Sequence, residues 1–293
     1  MTHVEAEIAT QPAAWVRAAS LDPEPLPRRG QRVAVVGCGT SWFMAMAYAA
    51  RRESLGHGET DAFQASEFPR DRHYDLVVAI TRSGTTTEVV DLLTGLSTPS
   101  LVIVGDPAGP AASAAGRAIA LPFADERSVV QTRFATTTLA LLRAGLGEDV
   151  AALAEQARRA LDAPLPLDPA AVEQLTFLGQ GWTVGLAQEA ALKCREAAAF
   201  WTEAHQAMDY RHGPITIAAP GRAVWSFGPP PSGLADEVAA TGATFVSGGD
   251  GATLDPMAEL ILAQRFAVAL AQHRGLDPDA PRHLTRSVVL DQR

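Results

Sequence analysis

Three observations predict an α/β fold made of two doubly wound, parallel-sheet halves, each a three-layer α/β/α arrangement. Short apolar runs end in glycine- or hydroxyl-rich turns, each turn feeds a helix-length segment, and the pattern occurs twice in the same order. Continuous apolar strands alternating with helices imply a parallel sheet covered on both faces.

Taken in order, residues 3–20 read as one amphipathic helix, which Pro23, Pro25 and Pro27 follow as a stiff linker. Val33-Ala-Val-Val36 is the first strand, ending in Gly37-Cys-Gly-Thr-Ser41, with a helix over Trp42–Ser54. Leu76-Val-Val-Ala-Ile80 is the second strand; Thr81-Arg-Ser-Gly-Thr-Thr-Thr87 and a helix over Glu88–Leu96 follow it. Leu101-Val-Ile-Val104 is the third, ending at Gly105-Asp106-Pro107. Phe177–Thr183 then echoes Val35–Ser41, Ala223–Phe227 echoes the strand before Thr81, and Thr244–Asp250 echoes Val102–Asp106. Arg265-Phe-Ala267, read as opening a long helix, echoes Arg133-Phe-Ala135. Four echoes in one order are most economically an internal duplication. The expected parts are residues 1–28 (helix and linker), 29–163 (first half) and 164–293 (second half and tail), joined where Pro164, Pro166 and Pro169 cluster.

The composition narrows the function classes. The chain has 293 residues, 47% hydrophobic and 19% charged, with a formal net charge of −9. That suffices for two packed cores and argues against non-specific binding of nucleic acid or an anionic membrane. Two cysteines, Cys38 and Cys194, make no disulfide framework, and no Cys/His spacing suggests a metal site, so no metal or cofactor is expected. No basic-then-apolar leader and no membrane-length apolar stretch is read, so a cytoplasmic protein is the expectation.

In open parallel sheets ligands bind beyond the carboxyl ends of the strands. A turn feeding a helix offers unpaired N–H groups and the positive end of the helix dipole. Thr81, Ser83, Thr85, Thr86 and Thr87 place five hydroxyls in seven residues. A plain N-cap needs one hydroxyl, so the excess points to a dianionic phosphate. The Gly37–Ser41 turn lacks a full dinucleotide fingerprint. The matching turn of the second half, Gly228-Pro-Pro-Pro-Ser-Gly-Leu234, has three prolines and one hydroxyl, and is not expected to bind phosphate in the same way.

The second half carries a different feature. Glu189, Lys193 and Glu196 fall on one face of the helix expected over Val184–Phe200. Such a stripe is either a solvated edge or the polar wall of a pocket. His212, held before Gly213-Pro214, is the best placed histidine for proton transfer, although a lone loop histidine is more often a surface residue.

Five segments, Gly37-Cys-Gly-Thr-Ser41, Thr81-Arg-Ser-Gly-Thr-Thr86, Glu189-Ala-Ala-Leu-Lys-Cys-Arg-Glu196, Arg211-His-Gly-Pro214 and Pro281-Arg-His-Leu-Thr-Arg-Ser287, resemble the tandem sugar-isomerase (SIS) domain family. The likeness is strongest to the isomerase half of glucosamine-6-phosphate synthase and to relatives that deaminate or deglycate amino-sugar phosphates. It implies that Thr40, Ser41, Thr81, Arg82, Ser83 and Thr86 contact a sugar phosphate, with Gln131 at a further ligand segment. It implies that Glu196 moves a proton between C1 and C2 beside Glu189 and Lys193, and that His212 of a partner subunit assists ring opening in a homodimer with shared active sites. Arg286 stands where the synthase has a lysine, which removes any imine role there, and Arg82 replaces an uncharged residue. No glutamine-hydrolysing segment is read before residue 30, so glutamine amidotransferase activity is not expected. The alternative is a non-catalytic sugar-phosphate sensor, which binds the same ligand without turnover.

Overall fold

The computed structural model describes residues 1–247 and 254–290. In chain order the helices and strands begin with α1 (His3–Ala9), α2 (Gln11–Ala19), β1 (Val33–Gly37), α3 (Thr40–Ser54), β2 (Thr60–Gln64), β3 (Leu76–Thr81) and α4 (Thr87–Thr94). β4 (Ser100–Val104), α5 (Pro110–Ala114), β5 (Arg117–Ala120), α6 (Arg133–Gly145) and α7 (Val150–Asp162) complete the first series. The second series is β6 (Gln174–Gly179), α8 (Thr183–Ala198), β7 (Thr202–Gln206), β8 (Arg222–Ser226), α9 (Leu234–Ala240), β9 (Thr244–Ser247) and α10 (Pro256–His273).

Two parallel sheets result, with strand orders β2-β1-β3-β4-β5 and β7-β6-β8-β9. The shared part of the order is the structural form of the duplication. The first sheet belongs to a unit of Ala13–Ala151 with the tail from Thr285, and the second to a unit of Met1–Pro12 with Ala152–Leu284. The joint expected at residues 161–168 therefore lies inside the second unit. The first residues join that unit because the N–H groups of His3 and Val4 donate to the carboxylate of Asp279, at 2.6 and 2.9 Å.

Strand periodicity sorts the first core. Ala34, Val36, Val77, Ala79, Val102 and Val104 pack with Val89, Leu92 and Leu93 of α4. Their alternates, Val33, Val35, Leu76, Val78, Leu101 and Ile103, are equally buried on the opposite face. Burial on both faces is why these strands read as unbroken apolar runs, each side chain contributing about 1.5–3 kcal/mol. In the second unit Leu178 and Val224 pack with Leu234 and Val238 of α9. The other face carries Phe177, Trp225 and Phe227, with Trp225 edge-on to Phe266 of α10 at 6.3 Å.

Two expectations change. The helix over residues 3–20 is two helices, because the Thr10 hydroxyl bonds back to the carbonyls of Ala6 and Glu7 and Pro12 lacks an N–H. Arg265 does not open its helix: α10 begins at Pro256, with the Asp255 side chain accepting from the Met257 N–H. The echo through Gly248, Gly249 and Asp250 lies outside the described residues.

Candidate functional site

In the first unit, β1 and β3 deliver the two turns. A Cβ on Gly37 would stand 2.7 Å from the backbone carbon of Ser41, so glycine is required for α3 to start where it does. Thr40 and Ser41 are buried in the first turn of that helix. Gly84 adopts φ +67°, and a Cβ there would meet the Asp106 carbonyl oxygen at 2.8 Å. This contact shapes the turn between Thr81, the last residue of β3, and Thr86, the residue before α4.

The five hydroxyls of this turn divide. The Ser83 hydroxyl accepts the Thr85 N–H at 3.2 Å, and the Thr86 side chain makes no capping bond to its own helix. The tail engages Thr85 and Thr87. Thr85 Oγ1 lies 2.8 Å from Ser287 Oγ, the Thr87 N–H donates to the Val288 carbonyl at 3.2 Å, and the Leu290 N–H donates to Thr87 Oγ1 at 2.9 Å.

Both arginines in question are tied into the same framework. Arg82 is 2% exposed, and its guanidinium donates to the carbonyls of Ser128 (2.7 Å) and Arg286 (2.8 Å). Arg286 grips both oxygens of Asp125, at 2.6 and 2.7 Å, and also donates to the Glu126 carbonyl. Gln131 stands just before α6 with its carbonyl oxygen buried and without a hydrogen-bond partner among the described residues.

Two carboxylates were not singled out from sequence. Glu126 lies six residues before Thr132, yet caps α6 by accepting the N–H groups of Thr132 (2.7 Å), Arg133 (2.8 Å) and Phe134 (3.1 Å). No N-cap pattern announces it. Glu259 is buried in α10 of the second unit, where it accepts from Trp225 Nε1 at 2.7 Å and weakly from the Gly228 N–H at 3.4 Å. Burial pushes its carboxyl up to about 7 against the lowering effect of the Trp225 bond. The proline-rich turn thus meets a protein carboxylate at Gly228. A lone glutamate in the apolar run Met257-Ala-Glu-Leu-Ile-Leu262 was the available signal.

The stripe on α8 is a buried ion chain, and the solvated-edge reading falls. Glu189 and Lys193 side chains are 0% and 1% exposed, and Glu196 is 18% exposed. Lys193 Nζ stands 3.4 Å from Glu189 Oε1 and 2.5 Å from Glu196 Oε2. Glu196 therefore ends the chain at the surface of a cavity of about 440 Å³. An apolar helix surface raises the cost of every charge on it, and mutual pairing compensates that cost.

His212 ends a short 3-10 turn, Asp209–His212, and is exposed. Its neighbour Arg211 pins this turn through bonds to Glu237 at 2.7 and 2.9 Å, while His212 itself makes no hydrogen bond or ion pair among the described residues. No group of three or more metal-ligating side chains occurs among the described residues.

No family model matches the chain. In sequence it is 26% identical over 308 residues to the isomerizing glutamine–fructose-6-phosphate aminotransferase of Methanothermobacter thermautotrophicus, covering 89% of this chain and 52% of that protein. The same enzyme of Tropheryma whipplei strain Twist is 30% identical over 146 residues, 40% of this chain and 24% of that protein. The chain thus spans about half, or less, of the length of these curated relatives. Among solved structures, the glucosamine-6-phosphate deaminase of Thermotoga maritima superposes with a TM-score of 0.87 at 24% identity, covering 99% of this chain and 100% of the other. The tagatose-6-phosphate ketose/aldose isomerase of Escherichia coli gives 0.79 at 21% identity, with coverages of 100% and 97%. The chain has the SIS fold. The two SIS halves are the five- and four-stranded units, and no helix of the described residues is long and apolar enough to cross a membrane.

Proposed function

We propose that this SIS protein is a phosphosugar isomerase or deaminase that acts on a hexose or aminohexose 6-phosphate by enolisation. In this reading Thr81, Ser83 and Thr86 hold the phosphate, with Thr40, Ser41 and Gln131 as further ligand contacts, while Thr85 and Thr87 anchor the tail. Arg82 and Arg286 shape this region through carbonyl and carboxylate partners. Glu196 is the base, and Lys193, backed by Glu189, sets its position and charge. One carboxylate then takes a proton from one carbon and returns it to the next, the common step of isomerisation, deamination and deglycation. His212 of a partner subunit serves ring opening in a homodimer.

The observation that carries an enzyme rather than a sensor is the α8 ion chain: two buried members support one partly exposed carboxylate at a cavity. Two proteins of the same fold, a glucosamine-6-phosphate deaminase and a tagatose-6-phosphate ketose/aldose isomerase, support the same substrate class. The test uses fructose, glucosamine and tagatose 6-phosphates with wild type and Glu196→Gln. The variant is expected to bind them but to lose turnover by about 100-fold or more. Unchanged turnover rules out Glu196 as the base. Binding without turnover by wild type returns the sensor reading.

A further inference from the structure

The five-stranded unit has a cavity of about 380 Å³ at the end of its sheet opposite the cradle. It is lined by linker residues before β1, by His57 in the loop between α3 and β2, and by Gly145 at the end of α6. The cradle lies at the carboxyl ends of β1 and β3, whereas the linker and the His57 loop lead into the amino ends of β1 and β2. α3 runs from one place to the other: it begins at Thr40 and Ser41, is 15 residues long, and so spans about 22 Å before the His57 loop.

A buried arginine frames the cavity. Arg52 is 0% exposed, and its guanidinium donates to the carbonyls of Arg28 (2.7 Å), Gln31 (3.1 Å) and Gly58 (3.1 Å) and to the Thr60 hydroxyl (2.7 Å). These partners are dipoles and not carboxylates, so they solvate the charge of Arg52 without cancelling it. The Gly30 N–H donates to the His57 carbonyl at 2.8 Å, and a Cβ on Gly58 would stand 2.7 Å from the Gln31 carbonyl oxygen. The linker and the His57 loop are thus tied to one another by the protein's own groups.

The cations facing the cavity differ in their commitments. Arg28 pairs with Glu24, the carboxylate of the lining, which Arg117 also reaches at 3.4 Å. Arg29 is exposed and His57 half-buried, and neither side chain makes a hydrogen bond or ion pair among the described residues. The end of α3 offers them no acceptor, because the carbonyls of Arg51, Arg52 and Glu53 already accept the N–H groups of Leu55, His57 and Gly56. Burial, together with the charges of Arg29 and Arg52, holds the His57 imidazole below its usual value, so the potential felt there is positive. This occurs in a chain whose formal net charge is −9.

We propose that this cavity is a second anion site, separate from the cradle, which takes the phosphate of a small phosphate monoester between Arg29 and His57. Two guanidinium charges that no carboxylate cancels, those of Arg29 and Arg52, suit a dianion better than a single carboxylate charge. Arg29 supplies a fork of donors and His57 one more. Pro23, Leu26 and Pro27 form an apolar wall for the carbon body of the ester. A volume of this size lies at the small end of metabolite sites, which limits that body to a few carbons.

Titration of the whole chain with glycerol 3-phosphate, followed by NMR of the His57 imidazole, tests the site. The His57 signals are assigned by their loss in His57→Gln, and glycerate is the singly charged control. In wild type these signals should move with glycerol 3-phosphate and require at least about tenfold more glycerate, the scale of one charge-assisted hydrogen bond. Arg29→Gln should weaken the response to the ester at least about tenfold. Signals that stay still, or that follow glycerate as readily as the ester, overturn the proposal. A response that survives Arg29→Gln unchanged also overturns it, because His57 then senses an ester bound elsewhere, such as in the cradle at the far end of α3.

Discussion

Replacing Glu259 by Gln removes a carboxyl whose protonated form the fold favours up to about pH 7. The group is fully buried in α10, with Trp225 Nε1 donating to it at 2.7 Å. Desolvation raises its pKa from 4.5 to about 7. A carboxyl whose folded pKa is raised gives stability that is complete below the unfolded value and is lost as pH rises through the folded value. The window therefore runs from pH 4.5 to about 7. At about 1.4 kcal/mol per pH unit, the whole window is worth about 3 kcal/mol, and the span from pH 5 to 8 about 2–3 kcal/mol. Gln has nearly the shape of the protonated acid and still accepts from Trp225. Glu259→Gln should thus be close to neutral at pH 5 and stabilising by about 2–3 kcal/mol at pH 8. Urea unfolding of both proteins at the two pH values measures the difference and cancels the titration of shared groups. If the advantage of the variant does not grow between pH 5 and 8, Glu259 is not the buried acid described here.

Two further outcomes follow from the cradle unit and from the partner histidine. Gly84→Ala forces an L-residue to φ +67° with its Cβ 2.8 Å from the Asp106 carbonyl oxygen. A loss of about 2 kcal/mol or more is expected in calorimetric unfolding, together with weakened binding of fructose 6-phosphate; an unchanged Tm refutes the steric account. An equimolar mixture of Glu196→Ala and His212→Ala chains should recover about a quarter of wild-type sites if the two residues meet across a twofold dimer. No recovery over either parent means that they do not complement across subunits.

Most strands read from sequence are interior and the strands missed are edges, the edge strand β9 being read through its echo of the third strand. β1, β3, β4, β6 and β8 are interior strands with buried side chains on both faces, so they appear as apolar runs. β2, β5 and β7 went unread, and all three are edge strands: Thr60-Asp-Ala-Phe-Gln64, Arg117-Ala-Ile-Ala120 and Thr202-Glu-Ala-His-Gln206 keep polar or exposed side chains. An edge has one neighbour instead of two, so its sequence need not be apolar. The α8 stripe was visible as a spacing of Glu189, Lys193 and Glu196. Its burial was not, because that depends on which elements cover the helix, above all α10.

What the chain order alone decided is local: where strands turn into helices, that five hydroxyls crowd one turn, and that the same turn-and-helix plan occurs twice. These follow from sterics and periodicity within a dozen residues. The partner of each polar group was decided only by the fold. Thr85 and Thr87 meet a tail about 200 residues away, bonding Ser287 and Leu290 at sequence separations of 202 and 203. Arg82 meets the Arg286 carbonyl across 204 residues. Glu259 reaches back 34 residues to Trp225. A hydroxyl or a charge can bond whatever donor or acceptor is brought to it, so its residue type states a capacity, and the tertiary structure determines how that capacity is used.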